Sequence, residues 1–171
     1  KSLTPLILHR GGLFLSGKFE EFRRDFPYFA ISQAFNQWCN IQLTETTEAI
    51  DTLKRRIIKA IGAQGQALID IIPSLELIIG KQPPLTILGA IESQNRLDTI
   101  FQNFLRAICQ PAQPLTLFID DLQWADHASL RTLTAIVSSG IAHLKIIGSY
   151  RNNEVDQQHI LSRSLEKMEY L

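Results

Sequence analysis

The stretch Leu115-Thr-Leu-Phe-Ile-Asp-Asp121 decides the fold of this chain. Its first five residues have no alternating polar face, which is typical of a strand in a parallel sheet covered by helices on both sides. Two acids, Asp120 and Asp121, follow the strand directly. Ligands of open α/β sheets bind at the carboxyl ends of the strands. The stretch therefore predicts both a fold class and the place of a functional site.

The segments on either side alternate between strands and helices. Short apolar runs predict two further strands, Leu13–Ser16 and Leu144–Tyr150. Apolar residues at helical spacing predict four helices, over about Tyr28–Leu43, Thr46–Ile61, Glu92–Cys109 and His127–Ser139. Residues 62–90 contain glycines and prolines and predict only short helical turns, around Leu68 and Leu77. Because strands alternate with helices, we expect an α/β protein with a three-layer parallel-sheet architecture.

Composition excludes several classes of protein. The 171 residues are 45% hydrophobic and 20% charged, which is typical of one globular domain and not of a disordered chain. Seventeen basic and seventeen acidic residues leave no net charge, so the chain lacks the positive field that direct nucleic-acid binding uses. No apolar run reaches the roughly 18 residues of a membrane span. Cys39 and Cys109 are far apart and predict reduced core thiols in a reducing, cytoplasmic compartment.

The two adjacent acids suggest a chemistry. Carboxylates this close repel each other unless a cation or hydrogen-bond donors compensate. A Mg²⁺ ion that arrives with a nucleotide is such a cation, because it prefers a few carboxylate oxygens together with phosphate and water oxygens. In that arrangement Asp120 holds the metal, directly or through water, and Asp121 orients or activates the attacking water. The alternative is a strand that simply ends in a solvated Asp-Asp turn.

The residues that follow the acids carry a family resemblance. Asp120-Asp-Leu-Gln-Trp-Ala-Asp126, followed by Ser129-Leu130, resembles the Walker B segment of the STAND branch of AAA-type P-loop NTPases. In particular, the chain resembles the ATPase module, of the Orc1-like AAA class, of large cyanobacterial-type hybrid serine/threonine kinase–histidine kinase signalling proteins. The other stretches that match this module are Phe14-Leu-Ser-Gly-Lys-Phe19, Pro27-Tyr-Phe-Ala-Ile-Ser-Gln-Ala-Phe35, Glu76-Leu-Ile-Ile-Gly-Lys-Gln-Pro83, Glu92-Ser-Gln-Asn-Arg96 and Gly148-Ser-Tyr-Arg-Asn-Asn-Glu154. Together they extend from about Gly12 to Val155.

The resemblance implies a switch or ATPase module with ATP and Mg²⁺ as cofactors. Its partners would be the nucleotide and the other domains of a parent kinase. Arg151 follows the third predicted strand, where the family places a nucleotide-sensing residue, so the resemblance implies a catalytic and nucleotide-binding role for it. An arginine there can contact a terminal phosphate through two hydrogen bonds. The alternative for Arg151 is a surface ion pair with Glu154.

The phosphate-binding loop of such a module is not evident. Gly12-Leu-Phe-Leu-Ser-Gly-Lys18 matches the GxxxxGK spacing, but its four central residues read as a buried strand. The resemblance places this segment one strand after the phosphate loop. We therefore expect residues 1–171 to be one partial NTPase domain, incomplete at both ends, that binds ATP weakly and is inactive by itself. In the fold that the resemblance implies, the phosphate-loop strand pairs with Leu144–Tyr150. The edge of Leu144–Tyr150 that is unpaired without it is expected to cause self-association.

Two other functions remain open. One is a non-hydrolysing module for oligomerisation or partner docking, and the other is a STAND-type transcriptional regulator with a remote DNA-binding domain. The Asp-Asp pair favours the ATPase over the docking module. The Gly-Lys-Phe19 and Ile-Ile-Gly-Lys-Gln-Pro83 segments favour the kinase over the regulator. Trp38 is predicted to lie in the core and Trp124 to pack the turn after the acids, while the histidines show no metal-ligand spacing.

Overall fold

A three-stranded sheet lies at the centre of the computed structural model, which describes residues 12–23 and 26–169. The strands of this part are β1 (Leu13–Lys18), β2 (Leu115–Asp120) and β3 (Leu144–Gly148). The helices are α1 (Phe29–Gln42), α2 (Thr47–Ile61), α3 (Gln66–Ile69), α4 (Glu76–Ile79), α5 (Ala90–Ile108), α6 (His127–Ser138) and α7 (Ile160–Glu169). Short 3-10 turns include Glu21–Arg23, Leu122–Trp124 and Asn152–Glu154.

The sheet has the order β1-β2-β3, and both neighbouring pairs are parallel. This confirms the predicted fold class. Strand β1 runs two residues further than predicted, to Lys18, because pairing with β2 continues there and the Phe19 N–H donates to the Asp120 carbonyl at 3.1 Å. Strand β3 ends two residues earlier than predicted, at Gly148, since the Ser149 carbonyl turns to accept from the Leu122 N–H at 2.9 Å. Within the described residues β3 pairs with β2 alone, so the expected self-association through its other edge stays a prediction.

The four long predicted helices are confirmed to within two residues at each end. Thr46 caps α2 by accepting from the Ala49 N–H at 3.3 Å, and Gly62 follows it with a φ of 60°. The short turns predicted between residues 62 and 90 are α3 and α4. Side-chain caps and terminal glycines have a local cause, which is why these boundaries could be read from the sequence.

Helix α1 lies unusually close to strand β1. A Cβ placed on Gly17 would lie 2.0 Å from the carbonyl oxygen of Ala30, so no larger residue fits there without moving the backbone. The other side of α1 packs on α5, where the Phe35 ring contacts Phe101 edge to face at a centroid distance of 5.3 Å. Trp38, 2% exposed, belongs to the same aromatic cluster and confirms its predicted place in the core.

Both cysteines are buried and free, as predicted for core thiols. Burial raises the pKa of Cys39 and of Cys109 to about 12, so neither is a thiolate at neutral pH. His9 lies outside the described residues, and over the ranges 12–23 and 26–169 no cluster of three or more potential metal ligands occurs. No helix in that part of the chain is both long and apolar enough to cross a membrane.

Candidate functional site

The carboxyl edge of the sheet brings together polar side chains that are distant in sequence. Lys18 ends β1 and lies opposite Asp120, the last residue of β2, in the strand register. Ser149 directly follows β3, and Arg151 comes two residues later. Because the strands are parallel and in register, their ends meet at one place. This is the edge that the sequence predicted for the site.

Asp120 is half-buried and keeps one oxygen toward solvent. Its Oδ1 accepts from the Ser149 hydroxyl and from the backbone N–H of Asp121, the latter at 3.0 Å. Its Oδ2 lies 3.8 Å from the Lys18 Nζ, and the side chain is 38% exposed. A partly exposed carboxylate oriented by two donors suits a Mg²⁺ ion that also takes oxygens from phosphate and water. The donor set of the edge therefore fits this metal.

Asp121 is buried and held by three donors. The backbone is left-handed there, with a φ of 54°, and this turns the side chain, 8% exposed, back into the edge. Lys18 Nζ lies 3.0 Å from one carboxylate oxygen, while Gln123 Nε2 at 3.0 Å and Arg151 Nε at 3.5 Å approach the other. Burial alone would raise the pKa of Asp121, but the hydrogen bonds from Gln123 and Lys18 and the two positive charges lower it. Asp121 is thus an ionised carboxylate, and its two oxygens can accept about four hydrogen bonds, which is more than the three donors use.

Arg151 contacts both groups that were considered for it from the sequence, the acids at the end of β2 and Glu154. Its Nη1 lies 3.0 Å from Oε1 of Glu154, which is the predicted surface pair, and its Nε reaches the Asp121 carboxylate. The guanidinium also stacks over the Trp124 ring at 5.0 Å from the ring centroid. Trp124 itself is half-buried against the core, in agreement with its predicted packing role. The half-exposed Arg151 guanidinium therefore lies beside the two acids of the candidate site.

Lys18, Gln123 and Ser149 also lie at the candidate site, and the sequence did not predict them there. In the sequence, Lys18 belongs to the GxxxxGK match and to the Phe14–Phe19 stretch that carries the resemblance, and neither gave it a role at the acids. The structure confirms that this segment is a strand. The hydrogen bond and the charge of Asp121 raise the pKa of Lys18, so its ammonium is positive at neutral pH. Lys18 could have been predicted at the candidate site from its position at the end of a strand parallel to β2.

The end of the Trp-Ala-Asp stretch has a structural role. Asp126 caps α6 by accepting from the Ser129 N–H at 2.8 Å. Its other oxygen and the Ser129 hydroxyl both accept from the backbone N–H of Tyr28, at 3.2 and 3.0 Å. Tyr28 has a left-handed φ of 64° just before α1. The Pro27–Phe35 and Asp120–Asp126 stretches, which both carry the resemblance, thus contact each other at the start of α1 and α6.

The same contact continues into α5 through polar groups that are buried (Asp98 and Thr132) or half-buried (Tyr28 and Gln94). The Tyr28 hydroxyl donates to Oε1 of Gln94 at 2.8 Å, and Gln94 donates to Oδ1 of Asp98 at 2.9 Å. Thr132 on α6 donates to the same Asp98 oxygen at 2.7 Å. A satisfied network of this kind holds helices in a unique arrangement. It connects the Glu92-Ser-Gln-Asn-Arg96 stretch to the fold and not to the carboxyl edge.

Comparisons with known proteins place this geometry in context. A family model described as an AAA ATPase domain matches residues 2–147. Hybrid signal transduction histidine kinase G of Dictyostelium discoideum is 36% identical over 126 residues, which is 74% of this chain and 4% of that protein. The chain therefore corresponds to a small part of that relative's length. No solved structure matches the chain.

Proposed function

The chain belongs to the AAA ATPase domain family, and on that premise we propose that it forms part of an ATP- and Mg²⁺-dependent switch in a multidomain signalling kinase. We assign it within this family to the STAND, Orc1-like class, in a hybrid kinase of the cyanobacterial type. The observation that carries the proposal is the Asp120–Asp121 pair at the carboxyl edge of a parallel sheet, with Arg151 beside it. The hybrid kinase relative supports the signalling context.

Each residue of the edge has a role in this proposal. Asp120 offers the partly exposed oxygen that binds the metal, directly or through water, and the Ser149 hydroxyl orients its carboxylate. Asp121, ionised and buried, orients the attacking water and accepts its proton. Arg151 contacts the terminal phosphate and, through Asp121 and Trp124, transmits whether that phosphate is present. When bound, ATP with Mg²⁺ supplies the phosphoanhydride bond that is cleaved and the positive charge that the two acids balance.

The phosphate loop of the module must come from another segment. Outside Gly12–Lys18 the sequence contains no GxxxxGK, and Leu13–Lys18 is the extended strand β1, paired in register with β2, and not a loop. We propose that this chain is one partial NTPase domain and that a flanking part of the parent protein supplies the loop. Nucleotide affinity is therefore to be measured in a protein that includes the segments on both sides.

A non-hydrolysing docking module is the second candidate function. The observation in its favour is that Lys18, Gln123 and Arg151 already satisfy the buried Asp121 carboxylate without any ligand. In that case the acids would stabilise the end of the sheet and would take no part in a reaction. The two candidates make opposite predictions for substitution of the acids.

Substitution of each acid in the parent protein tests the proposal. Asp121→Asn is expected to leave Mg²⁺-ATP binding intact and to slow hydrolysis on the order of 100-fold or more, because it removes the proton acceptor. Asp120→Asn is expected to weaken the magnesium-dependent part of ATP binding. Calorimetry measures the binding, and phosphate release measures the hydrolysis. Asp51→Asn, on the exposed surface of α2, is the matched control for loss of a carboxylate.

Unchanged turnover in both edge variants would contradict the ATPase role and would support the docking module. Loss of ATP binding in Asp121→Asn would instead mean that this residue holds the ligand and does not act on water. Thermal unfolding of each variant shows whether the fold is intact, so that a loss of activity is not a loss of structure.

A further inference from the structure

The Lys18 ammonium occupies the position that the two acids offer to a cation. It lies 3.0 Å from Oδ2 of Asp121 and 3.8 Å from Oδ2 of Asp120, and so bridges the pair. The backbone of Lys18 is fixed, because it pairs with β2 and its N–H donates to Oε1 of Gln33 at 3.0 Å. The side chain is nevertheless 53% exposed, so the ammonium has room to move into water when a ligand approaches the acids. The proposed function gives this residue no role.

Charge balance shows what the ammonium does at the edge. Asp120, Asp121 and Glu154 carry three negative charges, and Lys18 and Arg151 carry two positive ones. One negative charge is thus left for a further cation. A divalent ion would over-compensate it and would also lie within a few ångströms of the ammonium, which repels it. Without Lys18 the same groups leave two negative charges, which match Mg²⁺.

A nucleotide changes this balance, because its phosphates bring several negative charges of their own. A divalent ion and the ammonium can then be accommodated together, each with anionic oxygens to contact. We propose that Lys18 is a tethered counter-ion that excludes free divalent cations from Asp120 and Asp121, so that magnesium enters only with a nucleotide. This inference rests on the proposed function, since it assumes that the acids bind the metal of a nucleotide. It assigns Lys18 as a selectivity-determining residue rather than a catalytic one.

Binding of metal alone to the full chain tests the role of Lys18. Lys18→Gln removes the positive charge and is expected to raise the affinity for free Mg²⁺ on the order of tenfold, as measured by calorimetry without nucleotide. Mn²⁺ titration followed by electron paramagnetic resonance is an independent measurement of the same site. Lys18→Met removes the same charge with a different side chain. If one of the two variants fails to fold, the other still tests the effect of the charge.

Two further variants separate charge from other causes. Lys18→Arg keeps the positive charge and is expected to bind free Mg²⁺ as weakly as the unmodified chain. Lys59→Gln, on the exposed surface of α2, changes the net charge by the same amount far from the sheet and is expected to have no effect. Equal metal affinity in the unmodified chain, Lys18→Gln and Lys18→Met would overturn the proposal, including the case in which none of them binds Mg²⁺. An equal gain in Lys59→Gln would overturn it as well.

The two proposals fail in different ways. If the parent protein binds Mg²⁺-ATP but Lys18→Gln gains no affinity for free Mg²⁺, the counter-ion role is wrong and the nucleotide switch stands. If Lys18→Gln gains affinity for free Mg²⁺ but the parent protein binds no nucleotide, the acids bind a metal, the nucleotide switch is wrong, and the nucleotide-coupled part of the Lys18 proposal falls with it.

Discussion

Replacement of Asp126 tests whether the Trp-Ala-Asp stretch holds the fold together or serves the chemistry. One Asp126 oxygen caps α6, and the other accepts from the Tyr28 N–H across the α1–α6 contact. Loss of a helix cap costs about 1 kcal/mol. That other oxygen also accepts from the buried Ser129 hydroxyl. Loss of its two hydrogen bonds costs about 1 kcal/mol each, since the Tyr28 N–H keeps the Ser129 hydroxyl as an acceptor. Asp126→Ala is therefore expected to lower the free energy of unfolding by about 3 kcal/mol.

The assay is urea unfolding followed by circular dichroism, with thermal unfolding as a second measurement. A loss of this size corresponds to a fall in Tm of about 6–12 °C for a chain of this length. Asp126→Asn keeps an oxygen for the cap but places an amide group toward the Tyr28 N–H and the Ser129 hydroxyl, so about two thirds of the loss is expected. Asp51→Ala, which removes an exposed carboxylate on α2, is expected to change the stability by less than about 0.5 kcal/mol.

The reasoning is refuted if Asp126→Ala unfolds at the same urea concentration as Asp51→Ala. It is also refuted if Asp126→Asn costs as much as Asp126→Ala, because the cap and the contact with Tyr28 would then not be separate contributions. In the parent protein, both Asp126 variants are expected to retain ATP hydrolysis at temperatures where they are folded. Loss of turnover with an intact fold would place Asp126 in the chemistry.

Two further predictions concern the core. Gly17→Ala is expected to lower the free energy of unfolding by about 3 kcal/mol, because the new Cβ meets the Ala30 carbonyl; a loss below about 0.5 kcal/mol in urea unfolding would show that β1 and α1 are not in close contact. Burial raises the pKa of Cys39 and Cys109 from 9.0 to about 12. Above pH 9 the thiols ionise in the unfolded chain but not in the folded one, which favours unfolding. The free energy of unfolding is therefore unaffected by the ionisation of these groups below pH 9 and falls as the pH rises toward 12. Urea unfolding at pH 7.5 and pH 10 is expected to show this loss, and a Cys39→Ala/Cys109→Ala variant to show less of it; rapid reaction of either thiol with a disulfide reagent in the folded chain would contradict its burial.

Local signals explain how much of the fold could be predicted. Helix α2 begins after a threonine cap and ends at a glycine with positive φ, and α6 has an aspartate cap, so each carries its own start or stop. The ends of the strands are predicted less accurately, because a strand ends where pairing with its neighbour stops and not at a particular type of residue. Strand β1 accordingly continued to Lys18, and β3 stopped before Tyr150.

Some residues of the candidate site could likewise be predicted from local signals, and others could not. Asp120, Asp121 and Arg151 could be identified because each follows an apolar strand, and the carboxyl ends of parallel strands meet at one edge. The Arg151–Glu154 pair was also foreseeable, since the two residues are three positions apart in a helical turn. Gln123 could not be predicted, because a glutamine within the stretch that carries the resemblance indicates no particular role. Its side-chain amide reaches Asp121 only because of the turn at Leu122–Trp124.

By itself, the sequence determined the elements of this protein, the parallel class of its sheet and the edge that carries the acids, because periodicity, caps and strand ends are local properties of the chain. Only the tertiary structure decided which groups surround those acids. Lys18 and Asp121 are more than a hundred positions apart, and they meet because β1 and β2 pair in one register. Tyr28 and Asp126 directly precede α1 and α6, the helices that follow β1 and β2, and they meet because those two strands are neighbours in the sheet. Contacts between distant segments depend on the relative placement of whole elements, and no single stretch of sequence encodes that placement.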